Sequence, residues 1–182
     1  MWYNTHSYLR VGASPLSNYY RKALKMAGNT KGVSHAVYEA IAPTVESLGY
    51  SIWDIEFVKE GASYYLRIYI DSENGIFIED CEKVHRAIDP VLDEADPIDR
   101  AYYLEVSSPG LGRQIKNAEQ AKKMMGQRVE ARFFAPDKNG RKAVIGNLMS
   151  YDDTEAVIDL GNEEIKLEIK TIAKLCLYDY DI

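Results

Sequence analysis

Cysteine is nearly absent: the chain has two, Cys81 and Cys176, in 182 residues. Two thiols cannot staple a chain of this length, so a disulfide scaffold is excluded and both are expected reduced, as in a cytoplasmic protein. Histidine is as scarce, at three, and only His85 falls well inside the part expected to be ordered. No stretch approaches the ~18 uncharged apolar residues of a membrane-crossing helix, so no membrane span is expected. The first 32 residues hold no acidic side chain at all. They also lack the apolar run of about 7–15 residues that marks a secretory signal. This segment reads as a disordered basic extension, or as an over-long gene start with the native one at Met26.

What is present is ordinary globular material. Apolar residues make up 46% and charged residues 27%, which argues against global disorder and against a coiled coil. The length suits one full domain or two small ones. The net charge of −6 hides a division. Residues 1–32 carry +5, residues 33–108 carry −11, and residues 109–182 carry 0. Within the last block the first half, 109–142, has nine basic and three acidic groups. An acidic protein can therefore present one basic surface.

Periodicity predicts the elements. Val37, Ile41, Val45 and Leu48 recur at helical spacing behind a Ser34 cap, with Pro43 as a kink and Gly49 as the stop. Strands are predicted at 51–59, with Trp53, Ile55 and Phe57 on the apolar face, and at 64–71, with Leu66, Ile68 and Ile70 inward. A helix from Ile78 buries Cys81, Val84, Ile88, Val91 and Leu92, and Asp89-Pro90 threatens to break it. Tyr102–Ser107 is a third strand. This half is a two-layer α/β domain, α-β-β-α-β, over 33–108. Ser108 to Gly112 is a turn-rich linker. Beyond it, a short helix at 118–125 precedes five short strands at 128–134, 142–149, 155–159, 164–169 and 172–178, which predict a small closed barrel over 109–182. The fold class is thus α+β.

Catalytic readings are thin. Cys81 and His85 lie four apart on one helix face, but no second pair completes a metal site, and Cys81 reads better as a small core residue. Ser107 and Ser108 lack the Gly-x-Ser-x-Gly setting of a nucleophile and suit a turn. Gly110-Leu111-Gly112-Arg113 completes no phosphate loop or dinucleotide fingerprint. Asp89, Asp93, Glu94, Asp96 and Asp99 form an acidic cluster without calcium-loop spacing, which suits solvent or a basic partner. No catalytic, metal or cofactor residue is therefore assigned. The basic run is more specific. Arg128 and Arg132 share one side of a strand, with Phe133 and Phe134 beside them and Arg141 and Lys142 after the turn. Small barrels bind RNA with such strands and loops.

The run Leu104-Glu105-Val106-Ser107-Ser108-Pro109-Gly110-Leu111 resembles the bacterial ribosome maturation factor RimP family. Leu48-Gly49-Tyr50, Trp53-Asp54-Ile55-Glu56-Phe57, Leu66-Arg67-Ile68-Tyr69-Ile70-Asp71, Asp80-Cys81 and Pro90-Val91-Leu92-Asp93 match it in order and spacing. The resemblance runs from about Val33 to the C-terminus. It implies an α/β domain followed by an Sm-like, SH3-like barrel. It also implies a non-enzymatic, monomeric cytoplasmic factor. Such a factor binds the free small (30S) ribosomal subunit, assists its maturation and supports rRNA processing. The charge division adds the expected partners: rRNA for the basic run, and a basic small-subunit ribosomal protein for the −11 of residues 33–108. Partner contacts are expected from Glu105, Ser107, Ser108, Pro109, Gly110 and Arg113 of the motif, and from Arg128, Arg132, Arg141 and Lys142 after it. The chain departs from the family where Gly112-Arg113-Gln114-Ile115 replaces an Asp-Arg-Pro-Leu run, and where His85 replaces a serine. The rivals are a general RNA-binding protein or chaperone and a small hydrolase using Ser107 or Ser108.

Overall fold

The computed structural model describes residues 9–10, 30–152 and 154–179. Most of the basic extension lies outside these residues. The chain divides between Pro109 and Gly110 into two compact units.

The first unit begins with β1 (Leu9–Arg10), which pairs antiparallel with Tyr102–Tyr103. Helix α1 (Thr30–Ser47) starts five residues earlier than the Ser34 cap predicts. The cause of the misreading is plain: Thr30, Lys31 and Gly32 carry no apolar signal. The helix buries Val37, Ile41 and Val45 completely. Strands β2 (Ser51–Glu60) and β3 (Ser63–Asp71) form a hairpin. Helix α2 (Ile78–Ala95) then crosses over to β4 (Tyr102–Ser107), which lies parallel to β3. The sheet order is β1-β4-β3-β2. The predicted break at Asp89-Pro90 does not occur. Pro90 and Pro43 both face outward while the helices run on through them, because Cys81, Val84, Ile88 and Leu92 anchor one stripe on both sides of Pro90. The helix stops at Asp96, whose left-handed backbone (φ 41°) turns its N–H to the carbonyl of Leu92 at 3.0 Å.

Ile55, Phe57, Leu66, Ile68, Ile70, Tyr102, Leu104 and Val106 all point to the side where the helices pack. The residues between them point to the other side. Two layers result; among the described residues no helix packs on the other sheet face. Each fully buried Leu or Ile contributes ~1.5–3 kcal/mol of transfer free energy, so this single core dominates the unit's stability.

In the second unit Asn117 caps α3 (Ala118–Lys123) by accepting from the Gln120 N–H at 2.9 Å. Gln120 reaches back to the Lys116 N–H. Five antiparallel strands follow: β5 (Arg128–Phe133), β6 (Ala143–Tyr151), β7 (Glu155–Asp159), β8 (Glu164–Glu168) and β9 (Ile172–Leu177). Their order is β8-β7-β6-β5-β9, an open sheet. The expected closed barrel is not formed, because β8 and β9 stand at opposite ends of the ladder and do not pair. The sheet is nonetheless curled. Only the 3₁₀ turn Ile169–Thr171 joins β8 to β9. A link that short spans at most ~14 Å, whereas the edges of a flat five-stranded sheet lie ~19 Å apart. A separate core of Ile115, Ala121, Val129, Ala131, Val144, Leu148, Ala156, Ile158 and Leu175 fills the concave side.

Candidate functional site

The motif of the first unit occupies the end of β4. Tyr102, Leu104 and Val106 are buried, so Tyr103, Glu105 and Ser107 face the side of the sheet away from the helices. Parallel pairing sets Glu105 opposite Arg67 and Tyr103 opposite Tyr65. The Arg67 Nε donates to Glu105 at 2.8 Å, and its two terminal nitrogens donate to Glu60 at 2.8 and 3.0 Å. The same guanidinium lies 5.3 Å from the centre of the Tyr65 ring, which stacks on Tyr103 at 5.4 Å. The Arg67 hydrogen bond holds the Glu60 carboxyl below its ordinary value, and Glu60 in turn pushes Arg67 up. Beside this group Tyr69 donates to Glu56 at 3.2 Å. Burial first, then the Glu56 charge, keeps the phenol protonated. This face is aromatic and acid-rich, with Arg67 neutralised by two carboxylates.

Ser108 and Pro109 are half-buried and Gly110 is exposed. The Ser108 backbone meets Cys81, whose thiol is pushed up by burial. Cys81 is thus a core residue with little thiolate character, as the sequence suggests, and the serine turn packs on α2. Gly110 and Gly112 take φ of +70° and +64°, a left-handed backbone that glycine adopts freely. That accounts for Gly112, whose N–H is received by Asp179 at 2.8 Å.

Arg113 lies near the start of the second unit. Its carbonyl accepts from Leu177 at 2.9 Å, and Ile115 donates to Leu175 at 2.8 Å, so residues 113–115 lie along the outer edge of β9. On β5, Val129 and Ala131 are buried, which turns Arg128, Glu130 and Arg132 outward. The structure brings Arg128 and Arg132 to one face, as their spacing predicts. The Arg128 guanidinium lies 5.2 Å from the Tyr178 ring. Arg132 pairs with Glu130 at 2.9 Å. Arg141 is held by Asp137 at 2.7 Å and by Glu163 at 3.3 Å. Burial would raise Asp137, but Arg141 and two backbone N–H groups hold it below its ordinary value. Lys142 is exposed, and its carbonyl receives the Phe133 N–H. The expected residues therefore fall into two sets, Glu105 to Pro109 in one unit and Gly110 to Lys142 in the other.

Sequence reasoning missed the Arg67–Tyr65–Tyr103–Glu60 group, since Arg67 and Glu105 are 38 residues apart. It placed Phe133 and Phe134 together beside the arginines without separating them, whereas Phe134 is 75% exposed and Phe133 packs against the core. The outward repeat Arg128, Glu130, Arg132, Phe134 was the available signal. Among the described residues no cluster of His, Cys, Asp or Glu could hold a metal ion, and no helix is long and apolar enough to cross a membrane.

These features define a mixed α+β protein of two units, one a helix-covered sheet ending in a serine-proline-glycine turn, the other an open, curled sheet with a basic strand. Residues 40–112 match the family model of the RimP N-terminal domain. That match covers much of the first unit and supports the RimP family of ribosome maturation factors. The match takes in the motif through Gly112 and ends before Arg113.

Proposed function

We propose that this protein binds the free small ribosomal subunit in the cytoplasm, as a monomer, and assists its maturation by contact and not by catalysis. The observation that carries this reading is the RimP N-terminal match over 40–112, which includes the Glu105–Gly110 motif. The two units divide the work by charge. The second unit meets rRNA through Arg128, Lys142 and Arg113, with Arg132 and Arg141 in support. The first unit, at −11 over 33–108, repels bare phosphate and meets a basic small-subunit ribosomal protein. The sheet face with Glu105, Glu60 and Glu56 supports that assignment.

Sedimentation of lysate through a sucrose gradient tests the reading. The protein travels with free small subunits and leaves translating ribosomes and bulk RNA without it. Equal retention on bulk RNA would replace this reading with that of a general RNA-binding protein or chaperone. Loss of function after Ser107→Ala and Ser108→Ala together, with subunit binding intact, would revive the hydrolase.

A further inference from the structure

We propose that Phe134 and Tyr178 are base-stacking residues, and that the outward face of β5 takes a single-stranded RNA segment lying along the strand. The inference rests on the assignment of rRNA to the second unit and names the form of RNA that fits.

Phe134 is the most exposed of the large apolar side chains among the described residues, at 75%. Its backbone is fixed while its ring stands in water. The Phe134 N–H donates to Thr171 at 3.1 Å, and the preceding Phe133 N–H donates to Lys142 at 2.9 Å. The turn beyond is closed by Asp137, which accepts from the N–H groups of Asn139 and Arg141 and from the Arg141 side chain. A ring offered from so firm a backbone loses little freedom when a ligand covers it.

Phe134 directly follows β5, whose outward row is Arg128, Glu130 and Arg132, and it stands exposed where Phe133 packs against the core. Glu130 is the one carboxylate of that row and already binds Arg132. Pairing sets Lys174 of β9 opposite Arg132, and Asn147 and Ile145 of β6 opposite Arg128 and Glu130, so the flanks add a cation and no acid. At the far end the Arg128 plane lies on Tyr178, whose N–H is held by the Arg128 carbonyl at 2.8 Å. Aromatic rings and arginine planes are the surfaces on which unpaired bases stack, with cations along the backbone path. Six residues separate the two stations by at most ~20 Å, on the order of six nucleotides at a stacked spacing of ~3.4 Å. A duplex hides its bases from such rings, and an acidic peptide has no use for Phe134.

Fluorescence anisotropy of labelled decauridylate, titrated with the full chain, tests this. Phe134→Ala weakens binding roughly tenfold and leaves the salt dependence unchanged, while Phe134→Trp binds within about threefold of the parent. Tyr178→Ala weakens binding similarly. Arg128→Ala instead flattens the log-affinity against log-salt slope by ~0.7. The proposal falls if Phe134→Ala binds like the parent, if Phe134→Trp is as weak as Phe134→Ala, or if an RNA duplex or polyglutamate competes as well as decauridylate. Sedimentation of the same variants separates the two readings. A parent that binds decauridylate as described but misses free small subunits overturns the subunit assignment alone. A Phe134→Ala protein that keeps both activities overturns the stacking alone.

Discussion

At the scale of single residues the structure explains choices that composition cannot. Gly146 of β6 has no left-handed backbone, yet a Cβ there would stand 2.3 Å from the Asp159 carbonyl oxygen and 2.7 Å from the Ile158 Cγ2. The backbone oxygen cannot swing aside, so Gly146→Ala must push β6 from β7. The expected loss is ~1–3 kcal/mol, the range of core overpacking, read from urea unfolding. Gly110→Ala meets no atom within 4 Å and loses only about the ~1–2 kcal/mol of a left-handed Cβ. Asp80 supplies a pH-dependent prediction. It accepts from the Tyr50 hydroxyl at 2.5 Å and from the Phe77 N–H at 2.8 Å. These two bonds, in that order, lower its carboxyl below the ordinary 3.8. A carboxyl depressed in the folded state stabilises it fully above the unfolded value and loses that contribution as pH falls through the folded value. Asp80→Asn should therefore reduce stability at pH 7, and the gap to the parent should close in melts taken below about pH 4. A constant gap across that range would show that Asp80 acts by packing alone.

At the scale of elements, the charged strand permits a sharper forecast than its sequence did. All four of Arg128, Arg132, Arg141 and Lys142 were expected to touch rRNA alike. Two of them, Arg132 and Arg141, are ion-paired within the fold, and a guanidinium must leave its carboxylate before it grips a phosphate. Lys142→Ala should flatten the salt slope of subunit binding by ~0.7–0.9, and Arg132→Ala and Arg141→Ala by clearly less. Three equal slopes in filter binding across 50–200 mM salt would show that the ion pairs dissolve on contact. Much of this was legible in the chain. Strict alternation in Ile55-Phe57, Leu66-Ile68-Ile70 and Val129-Ala131 gave strands and inward faces, and the Cys81–Leu92 stripe gave α2; a bulge at Trp53 breaks the expected face, setting Ile52 and not Trp53 against the core. Three things were not legible. The start of α1 at Thr30 carries no apolar residue. The openness of the second sheet turns on whether β8 meets β9, which is long-range geometry. The Arg67–Glu105 pair depends on the parallel register of β3 and β4, which no local pattern encodes.

At the scale of the whole molecule, the two cores decide how the chain unfolds. The core of Val37, Ile41, Leu66, Ile68, Ile88 and Leu104 shares no residue with that of Val129, Ala131, Val144, Leu148 and Ile158, and the division falls between Pro109 and Gly110. Each unit of under about 110 residues buries only ~60–65% of the surface its unfolded chain exposes, so each is stable by a few kcal/mol at most. The turn between them is a good protease target, because Gly110 and Leu111 are exposed and the ladder of β4 ends at Ser107. Limited proteolysis of the full chain should cut at 108–112 while the β2–β3 hairpin, 51–71, stays whole. The polypeptides 1–109 and 110–182, expressed apart, should each unfold cooperatively in urea. In the full chain a destabilising change such as Leu66→Ala, expected to lose ~2–5 kcal/mol, should lower the first transition and leave the midpoint of the second in place. If Leu66→Ala shifts both midpoints together, or the hairpin is cleaved before the turn, the two cores stand or fall as one and the separate roles assigned to the units lose their physical basis.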